Sequence, residues 1–496
     1  MKFLRDKNQL VIASLFIFGL TGLCFVIFPE GSFQIIHTTS VWVRSLFGQL
    51  YLVLGLCICL YLLVIAFSPL GKKKLGSGKP EYSTLSWLAM MYSTGMGAGI
   101  ILRAVHEPVF MMQQPGIEIL RPEQIHGFEM TFYHWGFTAW AFYGLFALFI
   151  AYLLFIKNEN IQLSHLLPKL SNPVVTKCID LLVILTTVFG VVSAVALGIR
   201  QVEGGINFVV GSRLGIILSL SLCVLIFSLA LFSSIKGLRK GIRHLSNINI
   251  SLTLVLLAYV IFNTDVGLIF SNFYESILAL IQDFIPLSLA IGNFDFREEF
   301  LSDWTYYYWA FWLAWAPFTG IFIARISKGK SIRELILGVL IVPSLGSFLW
   351  FTSFGTAAVE LINSELVSSF AFNDVFSATF VLLEQFPFGF YAVILAILLL
   401  VGFLITSVDS AIYVLSMFSD LTKINPSSYH KWIWGILLFL VTLGFLMIGK
   451  FSGASDVLEA VQKLLIVSSL ALALLSIPFI IGFTLSLIRH HNSKQD

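Results

Sequence analysis

WTYYYWAFWLAWAPFTGIFIARISKGKSIRE, Trp304–Glu334, decides how the rest of the chain is read. Its first half is apolar and holds four tryptophans, Trp304, Trp309, Trp312 and Trp315, within twelve residues. Pro317 and Gly320 then interrupt the helical pattern, and the stretch ends in Arg325, Lys328, Lys330 and Arg333. An apolar helix running into basic residues reads as a membrane span arriving at the cytoplasm. Indoles three residues apart share a helical face, and that face has two readings. One is an interfacial belt or packing between helices; the other is a cage whose ring quadrupoles attract a cation.

The composition around this stretch agrees with a membrane setting. The 496 residues are 58% hydrophobic and only 11% charged, with a mean hydropathy of +0.91; soluble proteins carry about 25% charged residues. The chain therefore reads as an all-α polytopic membrane protein built as one bundle. Apolar segments of spanning length fall at 9–28, 47–69, 84–112, 128–156, 176–199, 213–233, 247–265, 304–326, 334–360, 388–417, 431–449 and 460–488, twelve transmembrane helices in all. Alternate loops carry Lys72, Lys73, Lys74 and Lys79; Lys157, Lys169 and Lys177; Lys236, Arg239, Lys240 and Arg243; and the Arg325–Arg333 group, with Arg489 and Lys494 at the end. The loops between them are acidic, notably Asp265, Glu275, Asp283, Asp295, Glu298, Glu299 and Asp303. The positive-inside rule then places both termini in the cytoplasm of a multi-pass protein of the cell (inner) membrane.

Several simpler assignments fall away. Lys2, Arg5 and Lys7 precede an apolar run with no small-residue cleavage site, so the first span is expected to be retained. The five cysteines, Cys24, Cys57, Cys59, Cys178 and Cys223, lack metal-ligand spacing and read as packing residues. No cofactor and no nucleic-acid partner are expected. The segment 235–252 mixes basic and apolar residues and reads as an amphipathic lead-in at the inner surface. Residues 266–300 are too polar to read as a span and are expected to form a helix along the outer face.

Three further segments carry candidate chemistry. In MMYSTGMGAGIILRAVHEPVF, 90–110, Gly95, Gly97 and Gly99 alternate in the middle of a span. They serve either close helix packing or an unwound hinge whose amides and carbonyls contact a ligand, since irregular backbone at that depth survives only beside a cavity. Paired with Pro317–Gly320 five spans later, the hinge points to a transporter of inverted repeats with a midplane site. In HWGFTAWAFYGLF, 134–146, Trp135, Trp140 and Tyr143 share a second aromatic face, with Trp140 and Tyr143 too deep for a belt. In FLITSVDSA, 403–411, Thr406, Ser407, Asp409 and Ser410 interrupt an apolar helix. Their hydroxyls either bond back to their own helix or offer hard neutral oxygens to sodium. Asp409, an intramembrane acid, is a functional hint that faces an inner vestibule or pairs with the cationic loop.

Taken together, GMGAG at 95–99 with Glu107-Pro108, HWGFTAWAFY at 134–143, the 304–334 block, LGSFLWFTSFGTAA at 345–358 and ITSVDSA at 405–411 resemble the betaine/carnitine/choline transporter family over nearly the whole chain. The resemblance implies a leucine-transporter-type fold with two inverted five-helix repeats. Two peripheral N-terminal helices would occupy 1–83, the first repeat with the outer-surface helix 84–300, the second repeat 301–488, and a short cytoplasmic tail 489–496. It also implies a homotrimer in membrane lipid and an activity that is transport, not enzymatic.

The resemblance also implies roles for residues. The aromatic box is similar to Trp135, Trp140, Tyr143 and Trp312, with Trp315 nearer the inner exit and the backbone of Gly95, Met96, Gly97, Ala98 and Gly99 facing the substrate carboxylate. The sodium site resembles Ser93 and Met96 (carbonyls), Phe403 (carbonyl), Thr406 and Ser407 (hydroxyls). A second sodium site is half matched, with Thr187 and Phe318 present but Val191 where a hydroxyl is needed, so one sodium is expected as the coupling ion.

Departures bear on substrate. Gly99 stands where choline-type members tend to carry an acid, which favours a zwitterion such as glycine betaine. Arg103 replaces an aromatic residue; it either pairs with Glu107 one turn on or contacts a carboxylate or sulfonate in the site or entry path. Phe311 replaces a tryptophan. No cation follows Arg243 in the seventh span to replace sodium, which favours sodium symport over exchange. The alternatives are a transporter of another osmolyte such as taurine or ectoine, and a sodium-independent carnitine/betaine exchanger. A non-transporting enzyme lacks a nucleophile–base pair or metal cluster in this sequence, and a receptor lacks an output domain.

Overall fold

A computed structural model describes residues 2–95, 97–113, 121–167, 170, 172–236, 239–420, 426–453 and 456–492. Met96, Lys169 and Lys494 lie outside the described residues, as do the side chains of Lys2, Arg5, Lys7, Arg239, Lys240 and Arg243. The helices are α1 Lys2–Ile27, α2 Pro29–Phe67, α3 Thr84–Gly95, α4 Ala98–Arg103, α5 His106–Met112, α6 Glu123–Trp135, α7 Phe137–Tyr152, α8 Pro173–Val210 and α9 Ile216–Lys236. They continue with α10 Arg239–Phe262, α11 Val266–Leu289, α12 Glu298–Phe300, α13 Tyr307–Ile326, α14 Ile332–Asn363, α15 Ala378–Glu384, α16 Gly389–Ser419, α17 Ser428–Phe451 and α18 Val457–Asn492.

Among the described residues, twelve helical segments are long and apolar enough to cross a membrane. Eleven coincide with predicted spans; the twelfth is α11, whereas predicted span 84–112 is divided into α3, α4 and α5. The loops show which ends of the helices lie together. Lys74 bridges to Ser331, and Gly329 N–H donates to the Leu75 carbonyl at 2.8 Å, so the 2–3 and 8–9 connections share one end, here called the basic end. At the opposite, acidic end the Asp265 N–H, just before α11, donates to Glu360 late in α14 (3.3 Å). Asp283 near the other end of α11 pairs with Arg121 ahead of α6 at 2.7 Å. The chain thus enters and leaves α11 at the acidic end, and α11 does not carry it across despite its apolar composition.

The third span breaks twice. Between α3 and α4, Gly97 is extended (φ −151°, ψ −172°), which ends the helix among the glycines. The second break, between Arg103 and His106, follows from Pro108. Its ring cannot sit over the carbonyl four residues back and is tolerated only in the first turn of a new helix. A further break at Gly136 divides the fourth span into α6 and α7. There a Cβ would lie 2.4 Å from Phe348 Cζ and 2.5 Å from the Phe132 carbonyl oxygen, so only glycine fits.

The expected interruption at Pro317–Gly320 is absent: α13 runs unbroken through Pro317. Gly320 serves close packing, since a Cβ there would lie 2.9 Å from Ala147 N in α7. Gly190 of α8 approaches Ala314 in the same way, at 2.9 Å. These contacts make α7 and α13 the centre of the bundle, and both are buried on nearly every face. Helices α1, α2 and α9 instead expose apolar side chains such as Phe16, Trp42, Val64 and Phe232, the pattern of lipid-facing spans.

Two helices show well-formed caps. Asn172 accepts from Val174 N–H and Pro173 opens α8, which closes on Gly211 at φ +72°. Ser331 and Glu334 form a reciprocal capping box at the start of α14. The basic–apolar segment 235–252 is not a separate helix: Ile235 and Lys236 end α9, and residues 239–252 begin α10.

Candidate functional site

A chamber of about 260 Å³ lies where the broken third span, α7, α8, α13 and α16 converge. Its aromatic wall is Trp135, Tyr143, Trp312 and Trp315, with Phe311 and Phe318. Trp135 and Trp312 meet edge-to-face, centroids 5.0 Å apart at 72°, and Tyr143 meets Trp312 at 5.9 Å and 89°. Indole nitrogens that face away from the chamber leave the ring faces for a ligand. Trp312 Nε1 donates to the His134 carbonyl (2.8 Å) and Trp315 Nε1 to the Gly190 carbonyl (3.0 Å). Extended Gly97 and the first residues of α4, Ala98 and Gly99, also line it.

Polar groups occupy the half nearer the basic end. Ser93, Phe403, Thr406 and Ser407 line the chamber together. In this arrangement the Thr406 hydroxyl donates to the carbonyls of Gly402 and Phe403, both at 3.0 Å, and Ser93 Oγ to the Met90 carbonyl at 2.9 Å. Hard neutral oxygens are therefore concentrated here, the donor set a sodium ion takes. Among the described residues there is no group of three His, Cys, Asp or Glu able to hold a metal. Ser246 and Asn249 of α10 and Ser410 of α16 carry the lining toward the basic end.

Other predicted residues lie elsewhere. Trp140 stays out of the chamber wall because Tyr143, one turn on, stands edge-on in front of it at 5.4 Å. Thr187 is fully buried away from the chamber, with its hydroxyl satisfied by the Val183 carbonyl at 2.8 Å. Phe318 does line the chamber, whereas Thr187 does not. Arg103 lies beyond Trp135 toward the acidic end and makes no ion pair with Glu107 within 4.0 Å. Asp409 has Lys431 of α17 as its neighbouring charge, not the 325–333 loop.

A buried polar cluster closes the acidic end over the chamber, which sequence reasoning missed. Glu107 accepts from Trp135 Nε1 at 3.0 Å and from the Tyr308 hydroxyl, and meets His134 Nδ1 at 3.3 Å. Tyr308 stacks on Trp312 at 5.9 Å and 15°. Its position four residues before Trp312, on one helical face, was the available signal.

A bundle of membrane-crossing helices around a central aromatic chamber, with broken helices beside it, suits a solute transporter. Residues 9–492 match the family described as BCCT, betaine/carnitine/choline family transporter. The chain belongs to that family, and it is a secondary transporter, not an enzyme. It is 36% identical over 426 residues to the glycine betaine transporter OpuD of Bacillus subtilis (strain 168), covering 83% of this chain and 82% of that one. It is 31% identical over 461 residues to an ectoine/hydroxyectoine transporter of Virgibacillus pantothenticus (91% and 90%). It is 30% identical over 456 residues to the high-affinity choline transport protein of Escherichia coli (strain K12) (88% and 66%).

Proposed function

We propose that the protein is a sodium-coupled symporter of a zwitterionic quaternary ammonium solute such as glycine betaine, working by alternating access for osmoprotection. The observation that carries this is that Trp135 and Tyr143 each meet Trp312 edge-to-face around one chamber, which Gly97, Ala98 and Gly99 also line. Ring faces attract the onium group, each contact worth up to about 2 kcal/mol when desolvated. The glycine amides suit the carboxylate. Sodium at Ser93, Met96, Phe403, Thr406 and Ser407 would order the same unwound segment. Each ligand then lowers the ordering cost of the other, which is the content of coupling.

On this reading the fold is of the leucine-transporter type, with repeats over 84–300 and 301–488, both termini cytoplasmic at the basic end, and a homotrimeric assembly. The chamber's extension toward Ser246 and Ser410 corresponds to an inward-facing state. The test is uptake into proteoliposomes of glycine betaine, carnitine, choline, ectoine and taurine, with and without a sodium gradient. Betaine uptake that collapses without sodium supports the proposal. Uptake confined to ectoine would favour the second reading, to which the likeness to the Virgibacillus transporter lends weight.

A further inference from the structure

Beyond Trp135, toward the acidic end, lies a separate cavity of about 30 Å³ bordered by Arg103, Gln201, Tyr307 and Tyr308. It shares Ala98, Gly99, Trp135, Ala194 and Phe311 with the chamber wall, and of these Trp135 and Phe311 bring the rings that stand between the two spaces. Gln201 is 0% exposed, and neither its amide nitrogen nor its amide oxygen has a hydrogen-bond partner. Arg103 is 3% exposed, and its Nη2 is likewise unpartnered. Arg103 also meets His106 Nδ1 at 3.3 Å, the Trp304 ring at 4.8 Å, and Tyr307, with Tyr308 and Glu107 close enough to act on its charge. Glu107, one turn away, has its oxygens engaged by His134, Trp135 and Tyr308.

Buried donors without acceptors are costly and uncommon, and they mark a place that something else satisfies. Here a guanidinium N–H and a carboxamide N–H border one small space, and a carboxylate has two oxygens to offer them. The space holds about two water molecules, too few to admit a whole solute while the rings are closed.

We propose that Arg103 and Gln201 form a carboxylate subsite on the entry path. This rests on the zwitterionic reading given above. When the acidic end opens, the carboxylate of the incoming solute takes the free Nη2 of Arg103 and the Gln201 amide. Trp135 and Phe311 then part to admit the onium group to the chamber. The subsite acts as a charge filter, because a quaternary ammonium without a carboxylate meets the like charge of Arg103 with nothing to offer its N–H groups.

The test uses the full chain in proteoliposomes, comparing wild type with R103Q, R103K and Q201L. The readouts are the half-saturation concentration for glycine betaine and the inhibition constant of choline, the carboxylate-free probe. R103Q and Q201L are expected to raise the betaine half-saturation about tenfold, the loss of one hydrogen bond to a charged group, while choline inhibition stays within about twofold in Q201L and strengthens in R103Q, which removes the repelling charge. R103K keeps the charge and should recover part of the affinity. Leucine at 201 removes unsatisfied amide atoms, so Q201L should melt no lower than wild type, which separates a site effect from misfolding. Betaine half-saturation unchanged in R103Q and Q201L, or betaine and choline weakened equally, overturns the subsite alone. A wild type that takes up no zwitterion overturns the proposed function and the subsite with it.

Discussion

The indole N–H of Trp312 donates to the backbone carbonyl of His134 at 2.8 Å, tying α13 to the last turn of α6. The carbonyls of that turn are available because the chain breaks at Gly136, and a helix that stops leaves its final carbonyls without intrahelical donors. The bond holds the Trp312 ring between Trp135 and Tyr143, with its face to the chamber.

Trp312→Leu removes that face. Loss of about 2 kcal/mol of cation–π attraction corresponds to about a thirtyfold rise in the half-saturation concentration of an onium solute. Trp312→Phe, which keeps a ring and loses the N–H, should fall between. Radiolabelled uptake measures both, and unaltered affinity in the leucine variant would remove the cage from the mechanism.

The glycines should divide by packing. Gly136→Ala places a Cβ 2.4 Å from Phe348 and 2.5 Å from the Phe132 carbonyl, and is expected to cost about 1–3 kcal/mol through overpacking. Gly97 has nothing within 4 Å of an added Cβ, so Gly97→Ala should leave thermal stability near wild type while altering transport. Melting curves in detergent distinguish the two; equal destabilisation contradicts the assignment.

Sodium dependence should follow chamber position. Thr406→Ala and Ser407→Ala, at the polar half of the chamber, are expected to raise the sodium half-saturation by about tenfold each, the scale of one lost ligand interaction. Thr187→Val should leave it unchanged, because that hydroxyl does not line the chamber. A sodium titration of uptake that responds to Thr187→Val would restore a second site.

Glu107 secures three groups from two other spans, His134, Trp135 and Tyr308. Glu107→Gln keeps the volume but presents an amide NH₂ to donors, so buried bonds are lost at a cost of about 1–3 kcal/mol. The expected result is a lower melting temperature together with weaker substrate binding, since Trp135 and Tyr308 lose their anchor. Stability equal to wild type would show that the cluster tolerates rearrangement.

Much of the chamber's lining was legible from residue type. Ring-bearing and hydroxyl-bearing positions inside apolar segments stand out against lipid-compatible neighbours, and Ser93, Trp135, Tyr143, Trp312, Phe403, Thr406 and Ser407 do share one chamber. Trp140 shows where this fails. One helical turn separates it from Tyr143, yet only Tyr143 faces the cavity, because the direction of a nearly fully buried helix is set by its neighbours. Gly320 shows the converse: a glycine read as a break became a contact point with Ala147.

The sequence by itself determined the membrane class, the helical spans and the charge asymmetry of their loops, because hydropathy and positive-inside bias are local sums over consecutive residues. It also identified the glycine-rich break, since backbone flexibility is a property of those residues. Only the tertiary structure decided that α11 returns to the end it left and that Arg103 sits with Gln201 outside the chamber. The same holds for Glu107 gathering three spans and for the division of the fourth span at Gly136 by Phe348. Each of these depends on which residues distant in the chain become neighbours, and pairwise packing of buried side chains leaves no periodic trace along one strand of sequence.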